Sequence, residues 1–302
     1  MGAILGRVTG IAGGPGSEVQ VVHRGGPHGD LRADANPAGE YGFDSLFWSV
    51  EPTRTYLLHA LETDRSIEPG HYVASGATSV TLEGLESGDF AVARDVDIEL
   101  APVGEWRVRG AMVAPDGDYS DPSPEAWLEF EDHSVLPLRT YEWTETGEFE
   151  AVFPLIEGTI GRVGVTASRL DGAHTFVQRT FSSPTDEADL VLLEAVELLE
   201  PEDGASFTPD TTFRWTAAPD AERYAVQMSC EAPGVGIAFR MLETTETELR
   251  FPSIEGIDFT EGTSCRWRVL HLQGAAYEYD TWTLPPAFGR ATTVERFLVP
   301  AG

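Results

Sequence analysis

The chain has 302 residues, 41% of them hydrophobic, so cores can be filled. Fifty acidic residues stand against 20 basic ones, a formal net charge of −30, and every basic residue is Arg. Such a surface repels phosphate backbones and anionic lipid, which argues against nucleic-acid and membrane-surface partners, and no apolar run reaches the roughly 18 residues a transmembrane helix needs.

The start, Met1 to Arg7, is too short for a signal peptide and lacks its layout. The chain is therefore either cytoplasmic or without its leader. Beyond it, 31 Gly and 20 Pro punctuate short stretches of alternating apolar and polar residues, the period-two mark of half-buried strands. Glu18-Val19-Gln20-Val21-Val22-His23 is the first clear case, preceded by Gly13-Gly14-Pro15-Gly16. That Gly-rich run sits between strands, and Pro15 removes an amide donor, so it reads as a hairpin loop, not a phosphate cradle. His23 and His28 flank Arg24-Gly25-Gly26-Pro27 and are either a metal pair across a turn or solvated loop residues.

Further strands follow at Gly39-Glu40-Tyr41-Gly42-Phe43, Leu57-Leu58-His59-Ala60 and Val96-Asp97-Ile98-Glu99-Leu100. The second hundred residues repeat this order weakly: Val108-Arg109-Gly110 after Val8-Thr9-Gly10, then Gly147-Glu148-Phe149, Gly164-Val165-Thr166-Ala167 and Leu190-Val191-Leu192-Leu193. The Asp116-Gly117-Asp118-Tyr119-Ser120-Asp121 run lies inside that repeat. Asp116, Asp118 and Asp121 offer three oxygen ligands that suit Ca²⁺, or the run is an ordinary acidic turn. Glu142-Trp143-Thr144-Glu145 raises a question of recognition against packing.

The order of strands and turns in residues 1–190 resembles the carboxypeptidase regulatory-like family of transthyretin-type sandwiches. The residues that carry it are Gly6-Arg7-Val8-Thr9-Gly10, Val19-Gln20-Val21 and Asn36-Pro37-Ala38-Gly39-Glu40-Tyr41-Gly42-Phe43. The resemblance implies extracellular spacers, adhesin stalks or accessory modules. Lys–Asn isopeptide cross-links known in some relatives are excluded, because this chain has no Lys.

From about residue 197 the pattern resembles a bacterial fibronectin type III domain. It runs through Thr212-Phe213-Arg214-Trp215-Thr216, Arg223-Tyr224-Ala225-Val226-Gln227-Met228, Cys265-Arg266-Trp267-Arg268-Val269 and Val294-Glu295-Arg296-Phe297-Leu298-Val299. Phe213, Trp215, Tyr224, Val226, Trp267 and Val269 are expected core fillers. In such a sandwich Cys230 ends one strand and Cys265 begins its antiparallel neighbour. The pair is either a disulfide, which needs an oxidising compartment, or two buried thiols. Tyr277-Glu278-Tyr279-Asp280-Thr281-Trp282 is an aromatic cluster on an end loop. Tyr277, Tyr279 and Trp282 either stack on a ligand such as a sugar or pack onto the protein.

The expected fold is all-β: three tandem antiparallel β-sandwiches over residues 1–101, 102–196 and 197–302. No metalloprotease, serine-hydrolase, phosphate-loop or Cys-x-x-Cys signature is present. The expectation is a non-catalytic, secreted, cell-surface or periplasmic structural or adhesive protein. Its partner would be a protein, a polysaccharide or itself, and it would need no cofactor unless the acidic loop takes Ca²⁺. The alternative is an accessory module that binds carbohydrate or protein.

Overall fold

A computed structural model describes residues 2–11, 17–24, 31–46, 53–66, 70–83, 91–114, 119–132, 134–138, 141–144, 147–169, 173–181, 189–208, 210–219, 221–232, 236–250, 263–273, 287–293 and 295–300. Every element among these is a strand, and no helix long and apolar enough to cross a membrane occurs among them.

The first strands are β1 (Gly2–Thr9), β2 (Ser17–Arg24), β3 (Arg32–Asp34), β4 (Glu40–Leu46), β5 (Thr53–Asp64), β6 (His71–Glu83), β7 (Ala91–Ala93), β8 (Ile98–Glu99) and β9 (Ala101–Pro102). They form two facing sheets. In one, β1 lies between antiparallel β4 and the short parallel strands β7 and β8. The other has the order β3-β2-β5-β6-β9. Alternation along the strands sends Ile4, Val8, Val19, Val21, Tyr41, Phe43, Tyr56 and Leu58 into the shared core.

The same plan follows in β10 (Glu105–Val113), β11 (Tyr119–Phe130), β12 (Val135–Leu138), β13 (Tyr141–Trp143), β14 (Glu148–Pro154), β15 (Thr159–Arg169), β16 (His174–Phe181) and β17 (Leu190–Val191). One sheet has the order β13-β14-β10-β17, and the other begins β12-β11-β15-β16. The repeat is exact at its turns. Val8 N–H donates to the Gly39 carbonyl at 2.7 Å, and Met112 N–H donates to the Gly147 carbonyl at 2.8 Å. Both glycines take left-handed φ, +79° and +83°, which only a residue without Cβ adopts at little cost. This corrects the sequence alignment by four residues: Gly110 corresponds to Gly6, because Gly6 pairs with Tyr41 and Gly110 with Phe149.

The last strands are β18 (Leu198–Glu200), β19 (Ala205–Phe207), β20 (Thr212–Trp215), β21 (Arg223–Ala232), β22 (Gly236–Thr244), β23 (Glu248–Arg250), β24 (Ser264–Gln273), β25 (Ala287–Thr292) and β26 (Arg296–Pro300). A small sheet β18-β20-β23 faces a larger one built on β26, β24, β21 and β22. Phe213, Trp215, Tyr224, Val226, Trp267 and Val269 are all buried between them, as their alternation predicts. Trp267 meets Phe213 edge-on at 4.8 Å, and Trp215 meets Tyr224 at 5.5 Å.

The larger sheet does not stop at the third core. Strand β25 pairs with β24 on one side and with β16 on the other. The path β12-β11-β15-β16-β25-β24-β21-β22 is therefore one continuous hydrogen-bonded surface across residues 119–292.

Candidate functional site

Cys230 and Cys265 face each other in register on β21 and β24, Cα atoms 4.1 Å apart, and are joined as a disulfide. Both are buried in the third core.

Asp116 and Asp118 lie outside the described residues. Asp121 falls within β11, where the pairing with β15 slips between Ser120 and Ser123, so it sits in a strand irregularity and not in a turn. Tyr277, Tyr279 and Trp282 lie outside the described residues, as do Gly13-Gly14-Pro15-Gly16 and His28. Among the described residues no cluster of three His, Cys, Asp or Glu could hold a metal ion. His23 is a buried strand residue at the end of β2, its ring 5.3 Å from Tyr56, and not a solvated loop residue. Trp143 stacks on Phe149 at 5.8 Å and packs against the second core, which answers its question in favour of packing.

The polar chemistry gathers instead where successive cores meet. At the first junction, Arg24 ends β2 and reaches across to the β11–β12 turn. Its Nη2 donates to Asp132 Oδ2 at 2.5 Å, its Nε donates to Ser134 Oγ at 2.5 Å, and its guanidinium lies 3.8 Å from the centre of the Phe130 ring. His59 approaches the same ring at 5.1 Å. Burial, then the Arg24 charge, lowers His59 to about 4, and burial with Arg54 lowers His23 to about 4. Both imidazoles are thus neutral at pH 7. Asp132 is lowered to about 2: burial pushes upward, and the hydrogen bonds from Ser134 and Arg24 outweigh it.

A second polar group lies toward the other end of the same sheet, where His71 pairs with Asp64 while Arg24 pairs with Leu57. His71 Nδ1 lies 2.8 Å from Glu105 Oε1, and Arg107 bridges Glu105 at 3.0 Å to Glu150 at 2.6 Å. Val22, Leu61 and Tyr72 of the first nine strands are buried in one cluster with the second core. The junction is therefore packed as well as ion-paired.

At the second junction the backbone does the work. Phe176, Val177 and Gln178 of β16 pair with Arg290, Gly289 and Phe288 of β25. Ala291 is buried with the second core although it lies within the third unit in sequence. Arg296 donates to the Leu198, Leu199 and Pro201 carbonyls, the first at 2.5 Å, and so fixes the entering chain.

Sequence reasoning missed Arg24, His59, Phe130 and β25. His59 stands within Leu57-Leu58-Ala60-Leu61, which reads as a core strand, and its partner lies far along the chain. The only available signal was an ionisable residue within an apolar run.

No family model matches this chain, and no curated protein does. Among solved structures it is similar to a tetra-tandem repeat from the extending region of a large adhesion protein, at 12% identity over 89% of this chain and 69% of that one, with a TM-score of 0.19. It is also similar to a DUF3823 family protein from Bacteroides ovatus, at 11% identity over 66% of this chain and all of that one, TM-score 0.21. A third likeness is the shaft pilin SpaA from Lactobacillus rhamnosus GG, at 7% identity over 63% of this chain and 96% of that one, TM-score 0.20. Likenesses this slight carry no argument, and the all-β sandwich fold rests on the strand pairing described above.

Proposed function

We propose that the chain is a non-catalytic spacer of an extracytoplasmic surface: a stiff rod of three sandwich units, residues 1–101, 102–196 and 197–302. The first two are of carboxypeptidase regulatory-like type and the third of fibronectin type III-like type. The observation that carries this reading is the continuous sheet through β16, β25 and β24. A linker of a few flexible residues would let two units swing, whereas a shared sheet resists bending through every backbone bond it contains. The Arg24–Asp132–Phe130 contact plays the corresponding part at the first junction. The Cys230–Cys265 bond supports an oxidising compartment.

The compartment is tested by expressing the chain from its native gene. An Arg-specific protease added to intact cells should digest it, and thiol labelling in those cells should leave both cysteines unmodified. A chain protected until lysis, with two reactive thiols, would overturn the reading.

A further inference from the structure

We propose that strand β22 is a docking edge for a second copy of this chain, which pairs with it antiparallel about a two-fold axis. The two ends of the long sheet differ. At one end stands β12, four residues long, and its Pro137 has no N–H to offer a further strand. At the other stands β22, nine residues without Pro, and no strand among the described residues pairs with its far side. One edge is blunted and the other is open among the described residues.

The side chains of β22 sharpen the contrast. Ala238 and Leu242 point into the third core. Ile237 and Phe239 point the other way, and at 73% and 56% exposed they are unusual for an edge strand that must avoid sticking. The register puts Phe239 beside Ser229, Ser229 beside Arg266, and Arg266 beside Phe297, itself 50% exposed. An apolar margin thus borders a face that also carries arginines.

Charge selects the occupant. A chain of net charge −30 repels its own copies over most of its surface. Here that repulsion is reduced: Glu243 is held by Arg223 at 2.9 Å, and Glu295 lies 3.7 and 3.6 Å from Arg266 and Arg268, which leaves exposed Glu231, beside Ile237, as an acid of this margin with no ion pair among the described residues. Arg240, on β22 itself, has no ion-pair partner among the described residues. A second copy can therefore approach this edge with Glu243 and Glu295 already ion-paired. If Phe239 lies opposite its own copy, Ile237 falls opposite Met241 and Ala238 opposite Arg240. Apolar then faces apolar on the outer surface, and no like charges are directly opposed. Such an isologous contact closes at two copies and does not grow into a fibre.

The pairing needs only the setting of the spacer reading. A monomer that is elongated overturns the pairing and leaves the rod standing, while a compact dimer does the reverse. The test is mass by light scattering on the full chain in molar NaCl, where the remaining repulsion is screened. The expected mass is twice that of one chain, and the variant Ile237→Lys with Phe239→Lys should halve it at an unchanged melting temperature. Oxidation of Phe239→Cys should give a covalent dimer, with peptide mapping showing Cys230–Cys265 intact, while Glu243→Cys should not cross-link. A wild-type monomer overturns the proposal, as does a dimer that survives the double substitution. A monomer that instead takes up an extended peptide along β22 assigns the edge to another partner and overturns the second copy as its occupant.

Discussion

Cys230 and Cys265 are directly opposite partners of β21 and β24, and they close a 35-residue separation that includes β22 and β23. Restricting that loop in the unfolded chain is worth about 4 kcal/mol on a loop-entropy scale. The double variant Cys230→Ser with Cys265→Ser should lose roughly that much stability in denaturant unfolding of the third unit. Free-thiol titration of unfolded, unreduced protein made under oxidising conditions should find none.

The two turn glycines separate strain from collision. Each has left-handed φ, so Ala at either costs about 1–2 kcal/mol. At Gly39 a Cβ would also stand 2.3 Å from the Val8 carbonyl oxygen, whereas at Gly147 the corresponding approach to Met112 is 3.3 Å. Gly39→Ala should therefore destabilise clearly more than Gly147→Ala. Equal losses in urea midpoints would mean that the backbone shifts freely.

The organisation of these turns was partly legible in the sequence. Gly39-Glu40-Tyr41 and Gly147-Glu148-Phe149 announce the same turn before the same strand, because the positive φ demands Gly and the core demands the aromatic. The third core was readable from Phe213, Trp215 and Trp267, whose alternation has only one burial solution. The closing strands β8 and β17 were readable inside the apolar runs Val96–Leu100 and Leu190–Leu193, whereas β7 was not, since three residues cannot show a period. Strand β25, Ala-Phe-Gly-Arg-Ala-Thr, was missed for a different reason. Its stability comes from two flanking strands, one of them more than a hundred residues away, and not from its own composition.

The buried histidines predict a pH dependence. Each has a folded pKa of about 4 against 6.5 when unfolded. The unfolded chain therefore binds the extra protons between these values, and stability falls as pH falls. The contribution is intact above about 6.5 and is lost progressively down to about 4, by about 3 kcal/mol per histidine on full protonation of the unfolded chain. Protonating surface carboxylates relieves repulsion and acts in the opposite sense, so the measurement is a difference. The wild type should lose more stability from pH 7 to pH 5 than His59→Leu does. Parallel profiles would contradict burial of a neutral His59.

Fifty carboxylates against 20 arginines predict a salt response. Like charges interact over a Debye length of about 30 Å at 0.01 M and about 3 Å at 1 M. Folding concentrates the charge, so screening favours the folded state. The melting temperature should rise from low salt to molar NaCl, and a flat response would reject the electrostatic argument.

Small-angle X-ray scattering of the Ile237→Lys, Phe239→Lys variant measures whether the chain is a stiff rod. A stiff rod gives a pair-distance distribution with one cross-sectional peak and a long tail, and a Kratky curve that returns to baseline as for a rigid particle. Gly289→Pro, which removes an N–H from β25 where it pairs with Val177 of β16, should convert that curve to one of hinged units. A compact particle, or a wild-type junction already as flexible as that variant, would rule out a stiff rod.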